Sequence, residues 1–376
     1  MKTKSIPAFL LLLVLTANAY GQAAKQLLSV PTIADLEMRI PQAGEVVEVR
    51  NGSASNLWAA PRTFTYRTNT ETADRVYVVT NRVAGTRYVA TDRDNGVCDL
   101  SLWATGDGTT DDTARILQAV ALMQDGHKLY SPPGKRYRVS STIEVTNSRV
   151  TVDFNGSSLV SVITDRSPAL RIGPAQINLS GMDFALSTST NRATGVPAGT
   201  FTAGDMVLLY NLIQNPADYY PGQFAFVDSA SGTEMTLDRF PDDALQVTNA
   251  TRFVSPPDAV TIRNLAVDLS GATDGIGISA IGRGHLVENC RVTGTGTTND
   301  PNYIGIELRG QSIVARNNYV RGILDYGNAD DKAGYGIFMA GDSISLEHNE
   351  IHDCKHTIST SERRAKSTRL RMSNNL

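Results

Sequence analysis

The stretch that decides the fold is Gly106-Asp107-Gly108-Thr109-Thr110-Asp111-Asp112-Thr113, continued by ARILQAVALMQDGHKLYSPPGKRYRV to Val139. A carboxylate at Asp111 or Asp112 can accept unpaired N–H groups of a first helical turn and suits the positive end of the helix dipole. A helix is therefore expected from near Asp112. Ile116, Leu117, Val120 and Met123 recur at three- and four-residue spacing, which gives about three turns with one apolar face, stopped by Asp125-Gly126. Leu129 and Tyr130 then lead into Ser131-Pro132-Pro133-Gly134, where proline fixes φ and glycine permits the turn. Tyr137 and Val139 alternate with polar residues beyond it, so the reading is strand, tight turn, strand. Asp107, Asp111 and Asp112 beside glycines also invite comparison with a calcium loop. The EF-hand spacing and its closing bidentate glutamate are absent, so the cluster is read as a helix cap.

This spacing resembles the opening of pectate-lyase-like (rhamnogalacturonase- and epimerase-like) right-handed parallel β-helix proteins. There a GDG-x-x-DDT-x-x-(Ile)-x-x-A helix caps the solenoid and a PPG-x-Y-x-V turn begins its first coil. The match is specific over Trp103 to Ile143, and weaker repeat resemblance runs to the C-terminus. A Thr32-Ile33-Ala34-Asp35-Leu36 leader is similar to that of phage tailspike-like and related secreted β-helix proteins. The resemblance implies an all-β fold, a right-handed parallel β-helix solenoid with an N-terminal capping helix, over residues 101–376. It implies a polysaccharide substrate and allows a Ca2+ cofactor. It does not fix a reaction, because that superfamily holds hydrolases, lyases, epimerases and depolymerases.

Internal repeats support a solenoid independently. TIRNLAV, LVENCRV, VARNNYV and SLEHNEI align so that Val267, Val292, Val320 and Ile351 are equivalent, at spacings of 25, 28 and 31 residues. Asn318, Asn349 and Asn375 then share one column, the pattern of an internal asparagine ladder. A second strand repeats through Ile278, Ile306, Ile337 and Ile358. Between these coils and the first ones, about 194–253, the rhythm breaks into short strands and Asp/Gly/Ser turns, read as an inserted small β module, with Phe184 before it matched to Val267 after it.

Ahead of the solenoid, Lys2 and Lys4 precede the apolar run Ala8 to Leu15, and small residues follow at Ala19 and Gly21. Residues 1–21 thus read as a signal peptide and the mature protein as secreted or periplasmic, not membrane-bound. Residues 22–100 form a β-rich N-terminal leader, with Val30 to Glu37 as a helix start and VVEVR, FTYRT, RVYVVT and TRYVAT as strands. Trp58 and Trp103 are read as packing residues. The net charge of −3 and 7% aromatic content argue against a nucleic-acid partner. Three cysteines, Cys98, Cys290 and Cys354, are an odd number for an exported chain and read as buried thiols.

Strand alternation predicts Ile304, Ile306 and Leu308 inside and Gly305, Glu307 and Arg309 outside. The stacked glycines Gly277, Gly305 and Gly336 then form an outward floor, approached either by a sugar chain or by a neighbouring loop. Around that floor, Glu307, Arg309, Asp325, Asp331, Lys355 and His356 are the candidate catalytic residues, with Tyr326 and the three glycines as substrate contacts. Alignment with Tyr335 and Ile304 puts His356 itself in an inward column, where packing competes with catalysis. A hydrolase needs two carboxylates across the glycosidic bond, whereas a lyase needs a base and a cation to neutralise the uronate carboxylate. Both sets are present. Of the polygalacturonase-like segments only Asp330-Asp331 appears, and Lys355-His356-Thr357 is similar to an Arg-His strand start of tailspike-like β-helices, with lysine in place of the planar guanidinium. The expectation is depolymerisation of an acidic polysaccharide by β-elimination, with glycoside hydrolysis or non-catalytic polysaccharide binding as alternatives. Ser373-Asn374-Asn375-Leu376 begins another repeat without an amphipathic cap, which predicts either cover by another subunit, as in a homotrimer, or a truncated chain.

Overall fold

The computed structural model describes residues 28–42, 45–51, 62–67, 78–80, 87–90, 96–212, 222–296, 302–324, 334–360 and 367–376. It divides into two compact units between Asn95 and Gly96. In the first, a five-stranded sheet runs in the order Leu28–Thr32, Val46–Asn51, Arg62–Arg67, Arg87–Ala90, Val78–Thr80. The helix Ile33–Glu37 starts one turn later than the sequence suggested, because Thr32 and Asp35 close a capping box and leave Val30 in the preceding strand. The residues read as a signal peptide, and Trp58, lie outside the described residues.

The second unit is a parallel β-helix of three sheets. The first sheet stacks eight strands from Val97–Asp99 to Arg371–Ser373, the second seven from Asp107–Asp111 to Glu350–His352, and the third six from Ile143–Val145 to His356–Ser359. Val97–Asp99 pairs in parallel with Lys128–Tyr130, so the solenoid begins before residue 101. The expected equivalences hold in register: Val267 pairs with Val292, Val292 with Val320, and Val320 with Ile351. Ile278, Ile306, Ile337 and Ile358 likewise share one column of the third sheet. From the coil of Thr261–Arg263 onward the chain leaves the first sheet through a left-handed residue, Asn264, Asn289, Asn317, His348 and Asn374 in turn, at φ of 52–55°. Asparagine recurs there because its short amide tolerates positive φ.

Two kinds of stacking hold the coils. Inside, Cys290 N–H donates to Asn318 Oδ1, Asn318 Nδ2 to Asn349 Oδ1 and Asn349 Nδ2 to Asn375 Oδ1, each at 2.9 Å. Every amide thus satisfies a buried turn of the next coil, and Cys290 occupies the ladder's first place as a buried thiol pushed up to about 12 by desolvation. Outside, the first sheet carries compensated charge, with Lys128 and Arg263 each 3.0 Å from Asp153 and Arg316 2.7 Å from Glu288. Cys98 is buried, Cys354 is half-buried, and none of the three cysteines forms a disulfide.

The opening loop works differently from a simple cap. Asp112 is fully buried at the helix N-cap, but its carboxylate accepts Thr105 N–H and Gly106 N–H instead of the first turn. Asp111 is the residue that accepts Thr113 N–H, and Asp107 closes its own turn through Thr109 and Thr110. The helix Thr113–Ala121 ends one turn before Asp125. Trp103 is buried beneath this loop's end of the unit, as a packing residue.

Between Ile172 and Thr261 the chain builds a closed antiparallel barrel. Its strands run in the order Ile177–Leu186, Arg192–Thr194, Glu234–Leu237, Gly222–Ser231, Met206–Tyr210, Leu245–Phe253. It begins 17 residues ahead of the expected Thr194, since Ile177–Leu186 pairs with Leu245–Phe253 and not with a coil. Phe184 is therefore a barrel core residue, and Val267 pairs instead with Leu159. The strand MVLLY is buried at every position because it has two apolar faces. Val207 and Leu209 fill the barrel, while Met206, Leu208 and Tyr210, with Phe224, Phe226 and Phe253, pack on Ile276, Ile281, Ile304, Phe338 and Ala340 of the third sheet.

Candidate functional site

The glycine column does not face outward. A Cβ on Gly277, Gly305 or Gly336 would lie 2.6, 2.5 or 2.4 Å from Val292 Cγ1, Val320 Cγ1 or Ile351 Cγ2, all interior atoms. Pairing in this sheet passes from Ile276↔Ile304 to Ile278↔Ile306, and from Ile304↔Tyr335 to Ile306↔Ile337, omitting the glycine each time. The strand bends there, two successive residues turn inward, and alternation shifts by one. The glycines are thus packing positions where only a missing side chain lets two sheets meet, not a substrate floor. By the same shift Ile304 and Tyr335 face outward against the barrel's apolar side.

The shift also reverses the placement of His356. It pairs with Tyr335 in the outward column, is exposed, and lies with its ring 5.3 Å from that of Tyr335. From there a continuous row of contacts runs along the sheet. Tyr335 meets Phe338 at 5.8 Å, the guanidinium of Arg309 lies 5.0 Å over Phe338, and Arg309 Nε donates to Glu307 Oε1 at 2.6 Å. Glu307 Oε2 accepts Ser279 Oγ at 2.6 Å. The row passes from buried Glu307, 8% exposed at the barrel's foot, to exposed His356. A second cation, Arg166, lies 4.4 Å over the ring of half-buried Tyr303, the residue before Ile304.

The structure therefore brings Glu307, Arg309 and His356 onto one outward strip. Lys355 is half-buried at the start of the same strand, its N–H bound to Ile323 O. Asp325, Tyr326, Asp330 and Asp331 lie outside the described residues. Both oxygens of Glu307 are taken by donors, which suits a residue that orients Arg309 better than one that acts as an acid. What joins the strip is aromatic: Tyr303, Tyr335 and Phe338, which the sequence reading passed over. Alternation assigned Tyr335 to the core with Ile304, but it already put Tyr303 and Phe338, each next to an isoleucine read as inward, on the outer face. Among the described residues no group of three or more His, Cys, Asp or Glu side chains is placed to hold a metal.

His285 is buried and structural. Its Nδ1 accepts Val260 N–H at 3.1 Å and Nε2 donates to Ile281 O at 3.1 Å. Burial pushes its imidazole down to about 4, with the Ile281 carbonyl and Asp258 pulling weakly the other way.

No family model and no curated protein matches the chain. Solved structures similar to it include the tailspike protein gp49 from Pseudomonas phage LKA1, at 17% identity and a TM-score of 0.49, covering 70% of this chain and 44% of that one. The Pseudomonas phage phi297 tailspike gp61 is similar at 12% identity and a TM-score of 0.40, covering 75% and 59%. The tailspike gp49 from Acinetobacter baumannii bacteriophage Fri1, a capsular polysaccharide depolymerase, is similar at 9% identity and a TM-score of 0.37, covering 93% and 62%. The chain thus spans less than two thirds of each of these tailspikes.

Proposed function

We propose that this is an exported carbohydrate-active protein that depolymerises an acidic, uronate-containing polysaccharide by β-elimination along the Tyr303–Tyr335–His356 strip. The observation that carries the reading is the row itself, in which an exposed imidazole and an oriented guanidinium sit at opposite ends of an aromatic floor. Aromatic faces suit the apolar faces of pyranose rings, and Arg309, steadied by Glu307, suits a uronate carboxylate. Arg309 thus anchors one uronate of the bound chain, and at the far end of the floor His356 takes, as base, the proton on the carbon α to the carboxyl of another. The electron pair forms a double bond to the β carbon, the bond from that carbon to the glycosidic oxygen breaks, and the departing oxygen takes up a proton.

The test is incubation with a panel of acidic polysaccharides, following absorbance of the unsaturated product together with new reducing ends. Both should appear together with the wild type, and His356→Ala should lower the rate by about 10²–10⁴-fold. New ends without unsaturation would replace elimination with hydrolysis, and no new ends on any substrate would leave a binding role.

A further inference from the structure

Outward cations of the first two sheets commonly meet a carboxylate of another coil, as Arg263 meets Asp153, Arg316 meets Glu288 and Arg321 meets Asp353. On the second sheet, Arg291 is exposed and has no acidic partner within ion-pair distance among the described residues. It stacks instead over Tyr319, Cζ 4.8 Å from the ring centroid. His352, from the next coil, lies 5.6 Å from the same ring. The stacking on Tyr319 and a 3.5 Å hydrogen bond from Arg291 Nε to Thr293 Oγ1 hold the guanidinium in place, and its two terminal NH2 groups are left for an anion.

Along the solenoid axis the column through Arg291 continues over Ala266 and Ser158 to Arg136. Arg136 is exposed and held loosely, 3.5 Å from Asp268. The two small residues leave a shallow trough between the two arginines. Its length is about 14 Å, three inter-strand steps. Cations at both ends of a small-residue floor, aligned with a solenoid, fit an extended polymer carrying regularly spaced anionic groups.

We infer that this trough is a second polysaccharide-binding site, taking a linear carboxylated or sulfated glycan parallel to the solenoid axis, with Arg291 on an anionic group and Tyr319 holding Arg291. It lies on a different sheet from the His356 strip and makes no use of it. Its role is to retain the polymer while the strip works on another part of the chain, as linked binding events raise effective concentration.

The experiment measures binding of polygalacturonate, dextran sulfate and neutral dextran by affinity electrophoresis and calorimetry. The full chain carries His356→Ala throughout, so that cleavage does not shorten the polymer. Arg291→Ala should weaken both anionic polymers about tenfold, the worth of one charge-assisted hydrogen bond. Arg291→Lys should fall between, since it keeps the charge and loses the fork. Arg316→Ala removes the same charge from an ion pair with Glu288 on the first sheet and should change binding less than twofold. Circular dichroism melts confirm that each variant is folded, as expected for exposed positions. Equal losses in Arg316→Ala, unchanged binding in Arg291→Ala, or equal retention of neutral dextran would overturn the site. So would sedimentation showing that Arg291→Ala dissociates a self-association of the chain, which would make this face a subunit contact. Absence of lyase activity in the wild type leaves all of these outcomes readable.

Discussion

Protonation of His285 should set an acid limit on the solenoid. The imidazole titrates at about 4 in the folded chain against 6.5 when exposed, because burial between the first and third sheets penalises its charged form. Between those values the unfolded chain binds a proton that the folded chain does not, so stability rises with pH across this window and is lost as pH falls from 6.5 toward 4. Below about 4 both states are protonated and the loss stops growing. The displacement corresponds to about 3 kcal/mol in full, and roughly 2–3 kcal/mol between pH 7.5 and pH 4.5. His285→Asn removes the titration while keeping an acceptor near Val260 N–H. Denaturant unfolding of both proteins at pH 7.5, 6.0, 5.0 and 4.5 isolates the effect as the difference between their slopes, because every other titrating group is shared. The variant should be less stable at pH 7.5 and should lose less on acidification. Parallel pH profiles, agreeing within about 0.5 kcal/mol, would refute the argument, since no buried neutral imidazole would then be at work.

Asn349→Ala removes the middle of the amide ladder and orphans the buried Asn318 N–H and the Ala315 carbonyl, so stability should fall by about 3 kcal/mol in denaturant unfolding. Gly305→Ala should cost about 2 kcal/mol, because its Cβ meets the Gly336 carbonyl at 2.6 Å as well as Val320. Gly134→Ala, with open space around it but φ of +77°, should cost about half that in the same measurement, and the reverse order would contradict the inward placement of the column.

The solenoid was legible because its signal is redundant: Val267, Val292, Val320 and Ile351 repeat the same local pattern, and the Asn-Asn corner repeats with it. Local rules placed the helix Thr113–Ala121 and the Pro132-Pro133-Gly134 turn for the same reason. The third sheet misled where strict alternation was applied across Gly277, Gly305 and Gly336, since a bend at each glycine moves the next side chain to the other face. That single shift explains both errors at the site, the glycine floor and the inward His356. The barrel's start was missed because Ile177–Leu186 has the length and composition of a coil strand, and only its antiparallel partner distinguishes it. The all-apolar run Met206–Tyr210 did carry information, for a strand buried on both faces must be sandwiched between two bodies. Arg291 and Tyr319 were invisible as a pair, being 28 residues apart with a contact created by the coil length.

The barrel also bears on the order in which the chain assembles. The coils before and after it are direct neighbours, Thr151 pairing with Thr261 and Leu159 with Val267, although the 88 residues from Gly173 to Val260 separate the sheets they join. Within the barrel, however, the first and last strands are hydrogen-bonded partners, Ile177 opposite Arg252. Once it has closed on its own core, the span still to be bridged shrinks from 88 residues to about a dozen, nearly three halvings, or about 1.7 kcal/mol of loop-closure entropy. A barrel that forms first therefore converts the most distant contact of the solenoid into a near-local one, and the later coils can add to the earlier ones at the pace of an uninterrupted repeat.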